Sequence, residues 1–484
     1  MREQALRDGS TENLDGGDLM AKKDEFSRVL SRSDVIVLAF GAMIGWGWVV
    51  LSGDWILKAG SLGSMIAFLI GGIMVTFVGL VYSELTTALP KTGGAHHFAQ
   101  AALGKKAAFI VSWSILLGYI SVVAFEAVAL PTVIEYIFPN YQVGYMWTIA
   151  GWDVYFSWVA VGMIGSILVT WINWIGVKQA ATLQLILTLL LAIVGLSLIF
   201  GSAVTGEVKN LSPLFTGGMA GVMLVMIMTP FMFVGFDVIP QMAEEMNIPK
   251  KTVGRILLLS VALAVFWYIF IILGVSLSLN DGQLQVASLP TADAMGAVFG
   301  SAFFSKILIL GGIAGILTSW NAFIIGGSRV MYAMAQDGML PKWFGKLHPK
   351  YKTPGNAIFI IGFLATLSPL LGRPALVWLV DAGGLSIVIA YFIVSVSFIV
   401  LRKTQPELER PFRAGKSNIV GILATILSIG FIILYMPGMP ASLIWPYEWI
   451  IFGVWWIFGL FFFVQIPNIK EIKTSAATEQ SFKE

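Results

Sequence analysis

Apolar residues in this chain gather into long blocks separated by short polar stretches, with neither the strand period of two nor a one-faced helical stripe. Twelve blocks stand out, at about 33–58, 62–89, 107–138, 154–176, 178–203, 217–246, 253–279, 300–335, 355–372, 375–401, 418–438 and 446–467. A helix needs about 20 apolar residues to cross the hydrocarbon of a bilayer. The pattern therefore predicts an all-α polytopic membrane protein of twelve transmembrane helices, with polar tails at 1–32 and 468–484. Connections are mostly short, so the helices form one unit. An even number of crossings puts both termini on one side.

Two blocks are interrupted near their centres. Block one carries Gly41-Ala42-Met43-Ile44-Gly45-Trp46-Gly47. Each glycine costs a helix roughly 1 kcal/mol against alanine, and backbone unwound in lipid must find new hydrogen-bond partners. Such a break persists where the freed amides and carbonyls line a cavity and meet a polar ligand. Block six carries Pro230-Phe231-Met232-Phe233-Val234-Gly235-Phe236-Asp237-Val238-Ile239-Pro240, where two prolines remove donors and clash with preceding carbonyls. The second break lies five blocks after the first, so the halves enter the membrane in opposite directions. This predicts a 5+5 inverted repeat, 33–203 against 217–401, with 418–467 as two extra helices. Two ordinary kinks are the plainer alternative.

Composition narrows the class. The chain of 484 residues is 57% hydrophobic and 12% charged, against about 25% charged in soluble proteins. Its mean hydropathy is +0.84. A net charge of +3 gives no support for nucleic-acid binding. There is no cysteine, and the three histidines, His96, His97 and His348, have no recognisable metal-ligand spacing. No nucleophile–base set or phosphate loop suggests an enzyme. The first thirty residues lack the apolar core of a signal peptide. Of the 30 lysines and arginines, only Lys58, Lys209, Lys306 and Arg373 fall on the side away from the termini. The positive-inside rule then places both termini in the cytoplasm, and the plasma membrane is the expected location.

An ordered set of motifs resembles the amino acid–polyamine–organocation (APC) permease superfamily. It comprises the glycines of 41–47, Glu84-Leu85 through Pro90-Lys91-Thr92-Gly93-Gly94, and Phe233-Val234-Gly235-Phe236-Asp237 followed by Ala243-Glu244-Glu245 and Ile248-Pro249. Then come Ser328-Arg329, Tyr332-Ala333-Met334-Ala335, Asp337-Gly338-Met339-Leu340-Pro341, Leu401-Arg402-Lys403 and Glu409-Arg410-Pro411-Phe412. The resemblance covers about residues 33–415. It implies a LeuT-type fold with one central site and alternating access, and no resident cofactor. It also implies that the substrate carboxylate meets donors at Met43, Ile44, Gly45, Trp46 and Gly47, and that the amine meets carbonyls of Phe231, Phe233, Val234 and Gly235. Trp46 and Trp48 are larger than the small residues usual there; their rings either shape the cavity or pack between helices.

Isolated acids carry the remaining chemistry. Glu126 lies near the middle of block three, where a lone carboxylate costs several kcal/mol unless protonated, paired or wetted. Asp237 lies at the lower edge of the second break. Both resemble acidic positions linked to proton coupling in cationic amino acid permeases, so a transported proton is expected. Asp237 is alternatively a cap on the lower half-helix. Asp381 reads as a solvated cap or outer gate, Glu244 and Glu245 as exposed cytoplasmic residues beside Lys250 and Lys251 that form gate or surface ion pairs, and His96 and His97 as surface residues, with pH sensing as the lesser alternative. Block five, 180–191, lacks the lysine that replaces sodium in some proton-coupled relatives. Thr318 and Ser319 resemble a sodium-binding hydroxyl pair, with back-bonding to helix carbonyls as the alternative. The expected function is amino acid uptake coupled to protons. Amine or polyamine transport (with Glu126, Asp237 and Asp381 as cavity acids), exchange and sodium symport stay open. The expected partners are a small-molecule substrate and the bilayer.

Overall fold

A computed structural model describes Phe26 and residues 28–466, apart from the side chains of residues 177–183. Most of the two predicted tails, and Ala180 to Leu183 of block five, fall outside that description. Among the described residues, nine helices are long and apolar enough to cross a membrane, from Arg32–Val50 to Ala375–Thr404. Three shorter apolar helices, Gly355–Leu371, Ile419–Leu434 and Tyr447–Phe463, occupy predicted blocks nine, eleven and twelve.

The first helix starts at a capping box. The Ser31 backbone N–H donates to Asp34 Oδ2 at 2.9 Å, and the Ser31 hydroxyl faces the Asp34 N–H. Helix Arg32–Met43 stops at the glycine motif and resumes as Gly47–Val50 and Ser52–Ala59. Block six breaks twice, into Gly218–Met226, Thr229–Phe233 and Val238–Gln241. The other long helices run through: Ser61–Ala88, Lys105–Ile137, Phe156–Ile175, Val177–Thr205, Lys250–Ser278, Ala302–Gln336 and Ala375–Thr404.

The connections hold more structure than their polarity suggested. A two-stranded hairpin, Tyr145–Ile149 with Trp152–Tyr155, joins blocks three and four. Helices Asp281–Val286 and Pro290–Phe299 lie between blocks seven and eight. The second of these docks on the upper half of block one: Thr291 Oγ1 donates to the Trp48 carbonyl at 2.7 Å and meets Ser52 Oγ at 2.7 Å. The Tyr136 hydroxyl ties it to block three through Asp293 at 2.7 Å.

The end near the termini is held by two ion clusters. Glu84 takes Arg402 Nε at 2.8 Å, Arg410 Nε at 3.1 Å and the Ala414 N–H at 2.8 Å. This brings together motif residues more than 300 positions apart in sequence. Glu245, expected to be exposed, is buried instead: Arg329, itself fully buried, donates Nε to its Oε1 at 2.8 Å and Nη2 to its Oε2 at 3.1 Å. An unpaired charge there would be strongly destabilising, so the pair forms together. Neighbouring Glu244 is exposed as expected. The stretch before helix one lies across this pair. Val29 and Leu30 N–H groups donate to the Glu245 carbonyl at 3.1 Å, and the Phe26 ring sits 5.5 Å from the Arg329 guanidinium.

Candidate substrate site at the two helix breaks

The two breaks meet at the centre of the bundle. Gly235 has φ +138, a conformation that side-chain-bearing residues rarely adopt, and a Cβ there would lie 2.8 Å from backbone atoms of Ala42 and Met43. A cavity opens beside this contact, lined by Met43, Gly45, Gly47, Glu126, Phe231 and Val234 together with Tyr268 and Ser319. Its volume, about 20 Å³, admits one water molecule. Helix Pro290–Phe299 packs on the upper half of block one, and the buried Glu245–Arg329 pair lies towards the end near the termini.

Of the predicted residues, Met43, Gly45, Gly47, Phe231 and Val234 line the cavity. Ile44, Trp46, Phe233 and Gly235 do not. The Phe233 ring packs 5.5 Å from Tyr268 and 5.8 Å from Phe68. Both tryptophan rings serve packing: Trp46 fills the space over Gly312, and Trp48 meets Trp267 edge to face at 5.4 Å. Tyr268 takes over a freed backbone group, its hydroxyl donating to the Met43 carbonyl at 3.0 Å.

Glu126 points into the first break. Its carboxyl interacts with the Ser319 hydroxyl and the Trp46 amide. A Cβ on Gly45 would coincide with Oε1, so only glycine leaves room for the acid. Its other oxygen, Oε2, has no hydrogen-bond partner among the described residues. Asp237 is also fully buried but lies outside the cavity lining. It stands at the start of helix Val238–Gln241 without capping it, so the expected cap role does not hold. Its side chain turns back, accepting the Gly235 N–H at 2.9 Å and the Tyr119 hydroxyl at 2.8 Å. It thereby braces the second break from below.

A buried polar cluster flanks the first break on its other side. A Cβ on Gly41 would meet Thr188 Oγ1 at 2.5 Å, Gln184 Nε2 at 2.7 Å and Thr318 at 3.3 Å, while Asn321 donates to Gln184 Oε1 at 3.0 Å. The Thr318 hydroxyl back-bonds to the Gly315 carbonyl at 3.0 Å, and Ser319 is turned towards Glu126. The two hydroxyls therefore serve different partners.

Three further expectations need correction. Asp381 is buried, 4% exposed, because the helix Tyr447–Phe463 covers it. His96 is buried between Ser112 at 2.8 Å and Asp337 at 2.7 Å. Its neighbour His97 is half-buried against the Thr92 carbonyl at 3.0 Å. Burial, reinforced by the neighbouring His96 ring, pushes the His97 imidazole below its ordinary range. Burial pushes the Asp337 carboxyl up, but the His96 hydrogen bond and the nearness of both imidazoles outweigh it and hold the group low. His96, His97 and Asp337 place ligand-type atoms within 4.8 Å of one another, yet hydrogen bonds already engage them.

Tyr268, Tyr119, Gln184 and Thr188 escaped the sequence reading. The signal was present, since an isolated polar side chain at membrane depth needs a partner whether or not it is charged.

A multi-pass helical protein with two broken helices around a small central cavity has the architecture of a membrane transporter. Residues 34–473 match the amino acid permease family model, and the chain belongs to this family, within the APC superfamily. It is similar to the methylthioribose transporter of Bacillus subtilis (strain 168), 28% identical over 90% of this chain and 92% of that protein. It is equally similar to the branched-chain amino acid permease BcaP of the same organism, 28% identical over 90% and 91%. The aspartate-proton symporter of that organism is 26% identical over 84% and 79%. The family consists of permeases rather than enzymes.

Proposed function

We propose that this protein is a secondary active transporter that carries amino acids across the plasma membrane by alternating access, coupled to protons. In this reading twelve spans form a 5+5 inverted repeat plus two helices, with both termini in the cytoplasm. The substrate α-carboxylate takes the amides of Met43 to Gly47 and its amine takes carbonyls between Phe231 and Gly235. Glu126 carries the proton, with Asp237 as a second candidate.

The observation that carries this reading is the position of Glu126, the one acid lining the cavity among the described residues, hard against the first break. A broken helix offers uncompensated amide donors to an anionic group. Opening the Pro290–Phe299 lid or the Glu245–Arg329 latch in turn would give the site alternating access. Polyamines fit less well, because Asp237 and Asp381 do not line the cavity. Sodium symport would draw on the buried polar cluster of Gln184, Thr188 and Thr318, but Ser319 is turned away from it towards Glu126.

Competition for uptake in reconstituted vesicles tests the reading, using a panel of amino acids, agmatine, putrescine and methylthioribose, with and without sodium. The best competitor is expected to bear a free α-carboxylate. Agmatine, putrescine or methylthioribose competing as well as the best amino acid would overturn it.

A further inference from the structure

Two buried carboxyl groups at the end of the bundle opposite the termini play no part in the scheme above. Asp381 lies early in helix Ala375–Thr404, and Glu448 lies in the first turn of helix Tyr447–Phe463 and is 0% exposed. Their carboxyl groups lie side by side. Ionised carboxylates only accept, so a hydrogen bond between the two would require a shared proton. Glu448 Oε2 also accepts the Ile444 N–H at 2.6 Å. Asp381 Oδ1 and Glu448 Oε1 have no hydrogen-bond partner among the described residues. These two oxygens are therefore left for a proton to satisfy.

The surroundings supply a proton route and a mechanical link. Lys58 and Asp54, on helix Ser52–Ala59, face the acids and pair with each other at 2.8 Å, with side chains 32% and 37% exposed. They stand between the buried acids and water. Tyr435 is the other titratable group facing the pair. Its hydroxyl donates to the Ile227 carbonyl, in the outer part of block six, and occupies the space beside Gly384. Trp378, one turn before Asp381, stacks on Tyr447 at 4.2 Å. The ring pair and the acid pair thus join the same two helices.

We infer that Asp381 and Glu448 form a second proton-binding site, distinct from Glu126, which fastens helix Tyr447–Phe463 to the outer end of helix Ala375–Thr404 while protonated and loosens it when the proton leaves. Two ionised carboxylates side by side in a poorly solvated site repel. Loosening is passed through Tyr435 to the outer part of block six. This rests on the transport reading and the orientation proposed above. It adds a control by external pH that is independent of the driving force.

The test has two arms. In the first, difference infrared spectra of the purified protein are recorded as pH is raised. The wild type should lose a protonated-carboxyl band that Glu448→Gln and Asp381→Asn both lack. A band unchanged in both variants overturns the site. In the second, substrate exchange is measured in vesicles of fixed internal pH as external pH alone is varied. Glutamine at 448 donates to the Asp381 carboxylate without a titrating proton, so Glu448→Gln should abolish the alkaline change in wild-type exchange rate. Asp381→Asn should do the same. Variants that keep the wild-type external-pH profile overturn the inference. Wild-type vesicles that exchange no amino acid would defeat the transport reading, while the infrared arm still decides the proton site.

Discussion

Gly45→Ala is the smallest change that challenges the central site. The added methyl would coincide with Glu126 Oε1 and lie 3.0 Å from Ser319 Oγ. The carboxyl has to leave, surrendering its interactions with Ser319 and the Trp46 amide. Hydrogen bonds to charged groups, the case for Glu126 when ionised, contribute about 1.5–3 kcal/mol each, and overpacking costs about 1–3 kcal/mol. The lower ends of these ranges, for two bonds and one clash, sum to about 4 kcal/mol. At 1.36 kcal/mol per factor of ten, uptake efficiency should fall roughly 1000-fold if the whole loss falls on transport. Gly430→Ala and Gly453→Ala provide controls, since a Cβ at either position meets nothing within 4 Å. Initial rates of labelled amino acid uptake, normalised to protein inserted in the vesicles, give the comparison. If Gly45→Ala transports within tenfold of the controls, the acid is not seated against this glycine.

Other sites give independent outcomes. Gly235→Leu should abolish uptake while the protein still inserts, because the position combines positive φ with close backbone approach; normal transport would show that the second break does not pack on the first. Glu245→Ala leaves Arg329 buried without its partner and should lower stability by about 3–5 kcal/mol, read as a large drop in melting temperature; a change under 1 kcal/mol would mean that water reaches the arginine. For His97, the folded chain holds the imidazole below its ordinary pKa of about 6.5, so the unfolded chain binds the proton first. Stability present above pH 6.5 is therefore lost as pH falls from there towards the folded value. His97→Gln should flatten that part of a melting-temperature profile, and an unchanged profile would remove His97 as the cause.

Much of this architecture is legible in the chain because membrane helices announce themselves locally. Block length marks the long helices to within a few residues, and both breaks fall where glycine and proline interrupt an apolar run. What was not legible depends on partners distant in sequence. Glu245 reads as a surface acid until Arg329, 84 positions later, is brought against it. Asp381 reads as solvated until helix Tyr447–Phe463 covers it. Trp46 and Trp48 have the same local sequence whether they line a cavity or pack on Gly312 and Trp267. The helix Pro290–Phe299 was hidden by its modest length.

Proton movement through Glu126 is the claim on which the proposed mechanism turns. Glu126→Gln keeps nearly the same shape and mimics the protonated side chain. One preparation of vesicles can report both substrate exchange without a gradient and accumulation driven by an inward proton gradient in sodium-free buffer. The variant is expected to exchange at near the wild-type rate and to fail to accumulate. A variant that still concentrates substrate under the pH gradient would place the coupling group elsewhere and contradict the account.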